Sequence, residues 1–251
     1  SNSSKYVRGE KIGEGLLILA AFTDRAFGVV YEGLRASDKS VVAIKVIPCN
    51  TNLPFLDEEA KALHSVKSEY VVKYVDVVVE QEGVGKPILP LFTNQLVMEY
   101  CSKGSVGNYL RNVQKLKEVE IRDIAACSLL GLNDLHKQRI IHRVIHSSLL
   151  LGKDIKPDNL LFGDNGTVKL GDFGLATQLD SSSSHRSTIC GTNCYMAPEV
   201  FDGATCLKSD VWSLGITLIE LAEGRNPFGV LTAQAAMKSI CLNPSPSLSS
   251  S

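Results

Sequence analysis

The chain changes character near Gly104, and this change constrains its fold more than any other feature. The residues before Gly104 contain β-rich runs, of which Val41–Ile47 is the clearest, because β-branched side chains favour extended backbone. The residues after it contain longer segments with apolar side chains at helical spacing, namely Ile121–His136 and Ser209–Glu223, the latter ended by Gly224. The pattern predicts an α+β chain with a β-rich first part and a mainly helical second part.

Shorter elements follow the same division of the chain. Before Gly104 we predict a helix and two further strands, over Leu53–Val66, Val71–Val79 and Leu96–Tyr100. After it, Ser105 or Asn108 is a candidate cap for a short helix, and Thr167–Leu170 has the composition of a strand. The Ser- and Pro-rich residues 243–251 are predicted to be a disordered tail.

Composition excludes several classes of protein. The net charge of −1 gives no general attraction to nucleic acid or to an anionic membrane. The longest apolar run, Leu16–Phe22, is far shorter than the roughly 20 residues that span a bilayer. The seven cysteines form no Cys-x-x-Cys pair, which favours reduced thiols over a disulfide framework or a zinc site. We therefore expect a cytoplasmic protein, with the nucleus as an alternative, that binds no nucleic acid and has no membrane span.

A lysine within the clearest strand is a candidate phosphate ligand. Lys45 lies among Val and Ile residues, and Glu59 follows on the predicted helix Leu53–Val66. A phosphate-binding lysine needs an acidic partner that holds its long side chain in place, and a helix glutamate can supply one. An ordinary surface ion pair is the alternative, but the neighbouring motifs favour the Lys45–Glu59 pair.

Glycines before this strand predict a phosphate-binding hairpin with an interruption. Gly13 and Gly15 follow a strand that includes Ile12, and Gly28 lies on the return strand Phe27–Tyr31. Glycines allow backbone N–H groups to approach phosphate oxygens closely. Ten residues, Leu16–Arg25, separate the two halves of the hairpin, and without them the chain reads Gly-Glu-Gly-Ala-Phe-Gly-Val-Val-Tyr.

A second interrupted motif carries the candidate catalytic residues. The segment Asp154–Asn159 is preceded by His142-Arg143, but ten residues, Val144–Lys153, intervene. Without them the chain reads His-Arg-Asp-Ile-Lys-Pro-Asp-Asn, which makes Asp154 a candidate catalytic residue and Asn159 a candidate metal ligand. Asp172, in an Asp-Phe-Gly sequence, is a candidate ligand for the Mg²⁺ that bridges nucleotide phosphates.

The residues between Asp172 and Glu199 predict a regulated loop. The Ser-rich stretch Ser181–Thr188 precedes Ala197-Pro198-Glu199 and contains Arg186. A solvated loop accounts for this composition, and so does a segment ordered by a phosphate on Thr188 or Ser187, with Arg143 as the counter-charge. We favour Thr188 as the phosphorylated residue.

Taken together, these motifs resemble the eukaryotic protein kinase family over nearly the whole chain. Lys156 and Gly191-Thr192 resemble the serine/threonine type. Thr188–Thr192 and Glu220–Phe228 are similar to the Ste20 group, near its MST/Hippo branch. Tyr195 departs from this resemblance, because the group commonly has Trp at that position.

The resemblance implies a two-lobed kinase-like fold and γ-phosphate transfer from Mg·ATP to Ser or Thr of a protein. The expected lobes are residues 6–101 and 102–242, the second truncated because the last helices of the family are absent. Asp154 would orient the hydroxyl, Lys156 would steady the transferring phosphate, and Asn159 and Asp172 would hold metal. Met98 would be the gatekeeper beside the adenine. The implied ATP-binding residues are Ile12, Gly13, Gly15, Gly28, Val30, Ala43, Lys45, Glu59, Met98, Glu99, Cys101 and Leu161.

The resemblance also implies partners and leaves an alternative open. A protein substrate is expected in a Ste20-like signalling role, together with an upstream kinase or scaffold. The insertions 16–25 and 144–153, with a third near Gly83–Phe92, could impair catalysis and leave a nucleotide-binding pseudokinase scaffold. A mis-spliced product is a further alternative, because Val144–Lys153 could be a translated 30-nucleotide intron. We expect the fold to survive the insertions better than the catalytic activity.

Overall fold

A computed structural model describes residues 5–14, 29–49, 64–81, 92–137, 155–171, 193–204 and 206–249. The chain forms two compact units. The first unit comprises Ser1–Lys67 and Val72–Cys101, and the second comprises Ser68–Val71 and Ser102–Ser251.

The described part of the first unit is built on one antiparallel sheet. Its strands lie in the order β1-β2-β3-β5-β4. Their bounds are β1 Tyr6–Glu14, β2 Val29–Arg35, β3 Val41–Cys49, β4 Tyr74–Gln81 and β5 Phe92–Glu99. The β-rich first part is thus confirmed. The prediction for Val71–Val79 was wrong at its start, because Val71 instead forms an isolated parallel bridge with Leu170 within the second unit.

An apolar cluster covers one face of this sheet. Val42, Ile44, Val46 and Val97 are at most 8% exposed and pack with Tyr6. The Tyr6 hydroxyl donates to Asp76 over 3.0 Å, and Lys5 pairs with the same carboxylate. Burial acts to raise the pKa of Asp76, but the hydrogen bonds from Lys5 and Tyr6 together lower it. The edge strand β4 is therefore tied to the start of the chain.

The described part of the second unit is mainly helical, which confirms the predicted two-lobed class. Its helices are α1 Val106–Val113, α2 Glu118–Lys137, α3 Pro198–Phe201, α4 Leu207–Glu223 and α5 Ala233–Leu242. A short hairpin joins β6, Leu160–Phe162, to β7, Val168–Leu170. Of the two candidate caps, Ser105 is the one that begins α1, because its Oγ accepts the N–H of Asn108 over 3.1 Å.

The observed end of α4 agrees with the predicted end, whereas the observed start of α2 differs from the predicted start. Helix α4 ends as predicted: Gly224 has φ of 73° and donates its N–H to Glu220 O over 2.8 Å. Helix α2 begins at Glu118, three residues before the predicted Ile121. Its first turn is polar and held by Glu120, which accepts the Lys117 N–H over 2.8 Å, so the apolar period gave no signal there.

A second core cluster lies around α4 and α5. Tyr195, Ile216, Phe228, Ala236 and Ile240 are at most 9% exposed and form this cluster with Cys194. Within the described ranges, no helix is both long enough and apolar enough to cross a membrane.

Two predicted segments are described only at one end or without regular structure. The predicted helix Leu53–Val66 lies outside the described residues except for its last three, of which His64 is helical and Ser65 lies in a turn. Residues 243–249 have neither helix nor strand, and Ser249 donates from N and Oγ to Glu223, both over 2.6 Å. The predicted disorder of this tail stays a prediction.

Candidate functional site

The register of the first sheet gathers several predicted nucleotide-binding residues on one face. Ala43 pairs with Met98, Lys45 pairs with Val30, and Val30 pairs with Gly13. Directly paired residues of antiparallel strands share a face, and alternate residues of one strand do too. Gly13, Val30, Ala43, Lys45 and Met98 therefore lie on one face, opposite the apolar cluster.

Lys45 is buried on this face, with only 7% of its surface exposed. Ala43 and Met98, on the same face of the sheet, are equally buried. A buried ammonium group requires a negatively charged partner. Glu59 lies outside the described residues, so its pairing with Lys45 stays a prediction.

The remaining predicted adenine-site residues of the first unit lie at strand ends. Glu99 pairs with Val42, which puts its side chain on the apolar-cluster face rather than on the face of Met98. Its backbone N–H donates to Lys73 O over 2.9 Å. Cys101 follows the end of β5 and is half-buried, whereas Ile12 on β1 is 43% exposed. Glu99 could therefore contribute to the Met98 face through its backbone only.

In the second unit, a 3₁₀ turn followed by a hairpin holds the described part of the catalytic segment. Pro157–Asn159 forms the turn, and the Asn159 N–H donates to Lys156 O over 2.9 Å. Strand β6 begins at the next residue, and Leu160 pairs with Leu170 on β7. Leu161, a predicted ATP-binding residue, is half-buried on β6 opposite Lys169.

The open end of this hairpin is closed by a backbone hydrogen bond. The Gly171 N–H donates to Asn159 O over 2.8 Å. Asp172, the next residue in the chain, lies outside the described residues, so its role as a metal ligand beside Asn159 stays a prediction.

Helix α4 donates two side-chain hydrogen bonds to backbone carbonyls of other segments. The Thr217 hydroxyl donates to the carbonyl oxygen of Ile155 over 2.6 Å. One turn earlier, the Ser213 hydroxyl donates to the carbonyl oxygen of Tyr195 over 2.8 Å. Sequence reasoning missed both residues, because their acceptors are remote in sequence.

A hydrogen bond between buried Tyr195 and half-buried Glu220 also joins Tyr195 to α4. The Tyr195 hydroxyl donates to Glu220 Oε2 over 2.5 Å, and Asn226 Nδ2 donates to the same oxygen over 3.3 Å. Burial raises the pKa of Tyr195, and the neighbouring Glu220 carboxylate raises it further. Burial also raises the pKa of Glu220, and the hydrogen bonds from Tyr195 and Asn226 offset only part of this.

A histidine–aspartate contact joins α2 to the start of α4. His136 Nε2 lies 2.8 Å from Asp210 Oδ2, and Asp210 is only 4% exposed. The contact holds together the two longest helices of the described residues.

Several predicted site residues lie outside the described part of the chain, together with both interrupting segments, 16–25 and 144–153. The residues concerned are Gly15, Gly28, Glu59, Asp154, Asp172, Ser187 and Thr188. Their predicted roles stay predictions.

Comparison with known proteins is consistent with these features. Residues 6–246 match the protein kinase domain family. The chain is 36% identical over 240 residues to serine/threonine-protein kinase hippo of Drosophila melanogaster, covering 94% of this chain and 31% of that protein. It is 35% identical over 238 residues to serine/threonine-protein kinase cst-1 of Caenorhabditis briggsae and of Caenorhabditis elegans, covering 94% of this chain and 42% of each relative. The chain thus spans less than half the length of these relatives.

These similarities agree with the resemblance that the motifs carry, including its Ste20-like, Hippo-type character. The match covers both units and includes the paired strands and the hairpin described above. The chain therefore belongs to the protein kinase family.

Proposed function

We propose that the chain transfers the γ-phosphate of Mg·ATP to serine or threonine side chains of a protein. The observation that carries this proposal is the 2.8 Å hydrogen bond from the Gly171 N–H to Asn159 O. It ties the end of the catalytic segment to the residue before Asp172, as a reaction that depends on positioning requires.

The donor set at the hairpin end fits Mg²⁺. Asn159 offers a carboxamide oxygen and Asp172 offers carboxylate oxygens, and hard oxygen ligands are those that Mg²⁺ prefers. Magnesium usually takes only a few protein ligands and completes its shell with water and phosphate oxygens. Asn159 and Asp172 would hold the ion, which neutralises charge on the phosphates when bound.

The face of the first sheet that carries Lys45 fits a nucleotide. Ala43, Val30 and Met98 supply apolar surface of the kind that binds an adenine ring, and Lys45 supplies a buried positive charge for phosphate oxygens. Glu59 would brace Lys45. The residues of the first unit proposed to complete this site are Ile12, Gly13, Gly15, Gly28, Glu99 and Cys101. Leu161, in the second unit, stays a predicted ATP-binding residue.

The transfer step places Asp154 against the substrate hydroxyl. The hydroxyl oxygen forms a bond to the γ-phosphorus as the bond from that phosphorus to the β,γ-bridging oxygen breaks, which releases ADP. The carboxylate of Asp154 accepts the hydroxyl proton, and Lys156 steadies the transferring phosphate. No covalent enzyme intermediate is needed.

The class of substrate and its regulation are inferred from the relatives. Hippo and cst-1 are named serine/threonine-protein kinases, which supports Ser and Thr as acceptors here. We further propose a signalling role, with an upstream kinase or scaffold acting on this chain. A phosphate on Thr188 or Ser187 would then order the stretch Ser181–Thr188, with Arg143 as the counter-charge.

A transfer assay tests the proposal. The whole chain is incubated with γ-³²P-labelled ATP, Mg²⁺ and a generic basic protein, and labelled residues are identified after hydrolysis. We expect label on phosphoserine or phosphothreonine, and a loss on the order of 10²-fold or more in Asp154→Asn. Asp123→Asn is the matched control, because Asp123 is an exposed carboxylate on α2 that contacts only the neighbouring Arg122 in the described structure.

Three outcomes contradict the proposal. An equal transfer rate in Asp154→Asn and in the unchanged chain would show that Asp154 is not catalytic. Nucleotide binding without any transfer would instead favour the pseudokinase scaffold, and an aggregating chain with neither property would favour a mis-spliced product.

A further inference from the structure

Helix α4 carries three buried hydroxyl side chains at a spacing of four residues. Ser209, Ser213 and Thr217 are 5%, 6% and 0% exposed. Residues four apart lie above one another on the same side of a helix. We call these three residues the hydroxyl row.

Each member of the hydroxyl row donates a hydrogen bond out of its own helix. Thr217 donates to Ile155 O over 2.6 Å, Ser213 to Tyr195 O over 2.8 Å and Ser209 to Glu199 Oε1 over 2.6 Å. The row therefore fastens two separate segments to one helix, one at Ile155 and the other at Tyr195 and Glu199.

The outward bonds of Thr217 and Ser213 are shorter than their bonds within the helix. Thr217 approaches Ser213 O at 2.9 Å, and Ser213 approaches Ser209 O at 3.2 Å. A buried serine or threonine in a helix can satisfy its hydroxyl on the carbonyl four residues earlier, so an outward bond is not needed for the helix itself. The outward bonds instead satisfy carbonyls of other segments, which lack a regular ladder.

The acceptor of Thr217 is next to the catalytic residues. Ile155 is 5% exposed, follows Asp154 in the chain and precedes Lys156. At the other end of the segment, Asn159 O accepts the Gly171 N–H. The segment Ile155–Asn159 is thus fixed at both ends by bonds that do not involve His142 or Arg143.

We propose that Thr217 is a positioning residue for phosphoryl transfer, acting through the Ile155 carbonyl on Asp154 and Lys156. This inference rests on the proposed function. Asp154 and Lys156 are the two covalent neighbours of Ile155, and consecutive Cα atoms are about 3.8 Å apart. On the N-terminal side of Asp154, the insertion Val144–Lys153 separates it from His142 and Arg143. On the C-terminal side, Thr217 binds the carbonyl of the next residue, Ile155.

Steady-state kinetics of Thr217→Val and Thr217→Ser test the inference. Valine has the shape of threonine without the hydroxyl, whereas serine keeps the hydroxyl. We expect Thr217→Val to lower kcat about 10-fold to 100-fold, because small displacements of reacting groups are costly, and to change the KM for ATP less than about 2-fold. We expect Thr217→Ser to restore kcat to within about 3-fold of the unchanged chain.

A control separates positioning from loss of stability. Ile216→Val removes one buried methylene from the same helix and from the core cluster that contains Tyr195, without removing a hydrogen bond. A positioning role predicts that its kcat stays near that of the unchanged chain. The inference is overturned if Ile216→Val loses as much kcat as Thr217→Val, if Thr217→Ser is as impaired as Thr217→Val, or if Thr217→Val is fully active.

Amide hydrogen exchange tests the anchor without any activity. The Asn159 and Gly171 amides are hydrogen-bonded in the segment that Thr217 holds, whereas the Gly224 amide bonds to Glu220 O at the end of α4. We expect Thr217→Val, but not Thr217→Ser, to speed exchange at Asn159 and Gly171 about 10-fold while Gly224 is unchanged. If the unchanged chain transfers no phosphate, the proposed function fails, but the exchange rates still show whether Thr217 holds the segment Ile155–Asn159. Unchanged exchange at Asn159 and Gly171 overturns this inference.

Discussion

The Tyr195 hydroxyl donates to Glu220 Oε2 over 2.5 Å, and this bond joins the residue before Met196-Ala197-Pro198-Glu199 to the last turns of α4. Tyr195 is 9% exposed, so its hydroxyl has little access to water when the bond is broken. Ser213 holds the Tyr195 backbone as well. Both the side chain and the backbone of Tyr195 are therefore fastened to one helix.

Tyr195→Phe is expected to destabilise the fold. The change removes one donor and leaves the buried Glu220 oxygen with Asn226 as its remaining partner in the described structure. We expect the free energy of unfolding to fall by about 1 to 3 kcal/mol, measured by urea denaturation. Tyr109→Phe is the matched control, because Tyr109 also donates to a glutamate, Glu120, over 2.8 Å but at an exposed position. A loss in the control as large as in Tyr195→Phe would refute the role of burial.

The titration of Glu220 predicts a pH dependence of stability. Its folded pKa is raised above the usual value of about 4.3, mainly by burial, so the folded state favours the protonated form. The stability that this contributes is fully present below about pH 4.3 and is lost as the pH rises through the folded pKa. We expect the melting temperature of the unchanged chain to fall relative to Glu220→Gln as the pH rises from about 4 to 7.

Glu223→Gln provides a control of opposite sign. The pKa of Glu223 is lowered by the hydrogen bonds from the Ser249 side chain and backbone. Its contribution to stability is present above about pH 4.3 and is lost as the pH falls through the folded pKa. Parallel pH profiles for the two variants would contradict the assigned shifts.

Two glycine substitutions on α4 are expected to have opposite effects. Gly224 has φ of 73°, and a Cβ there would lie 2.1 Å from Gln114 O, so Gly224→Ala should cost at least about 1 to 2 kcal/mol. Gly215 lies within the helix with no atom within 4 Å of a built Cβ, so Gly215→Ala should gain about 0.5 to 1 kcal/mol. Chemical denaturation of both variants checks the sign of each change. A stabilising Gly224→Ala would show that the left-handed end of α4 is not needed.

Removal of the two interrupting segments is expected to raise activity. A chain without residues 16–25 and 144–153 joins Arg143 directly to Asp154 and closes the glycine hairpin. Because both changes restore positioning, we expect a higher kcat in the labelled-ATP assay, on the order of 10-fold or more. Removal of Val84–Leu89 is the control, because it leaves four residues between the paired residues Gln81 and Phe92 to close the turn. Equal activity in the shortened and unchanged chains would show that the insertions do not impair catalysis.

Sequence reasoning succeeded where one local signal determined the structure. The β-branched run of β3, the Ser105 cap and Gly224 each specify an element end or type through local backbone preference. It failed at the start of α2, where a polar first turn hides the apolar period, and at Val71, whose partner Leu170 is remote in sequence. The role of Thr217 could not be read from the chain because its acceptor, Ile155, is 62 residues away.

The pairing of Asn159 with the residue before Asp172 can be tested most directly through the metal. The measurement is the rate of Mg²⁺-dependent γ-phosphate transfer by the unchanged chain, by Asn159→Ala and by Asp172→Asn, with Asp164→Asn in the exposed β6–β7 turn as control. We expect the transfer rate of Asn159→Ala and of Asp172→Asn to fall on the order of 10²-fold or more, and that of Asp164→Asn to equal the rate of the unchanged chain. Full Mg²⁺-dependent transfer by both Asn159→Ala and Asp172→Asn would contradict this expectation.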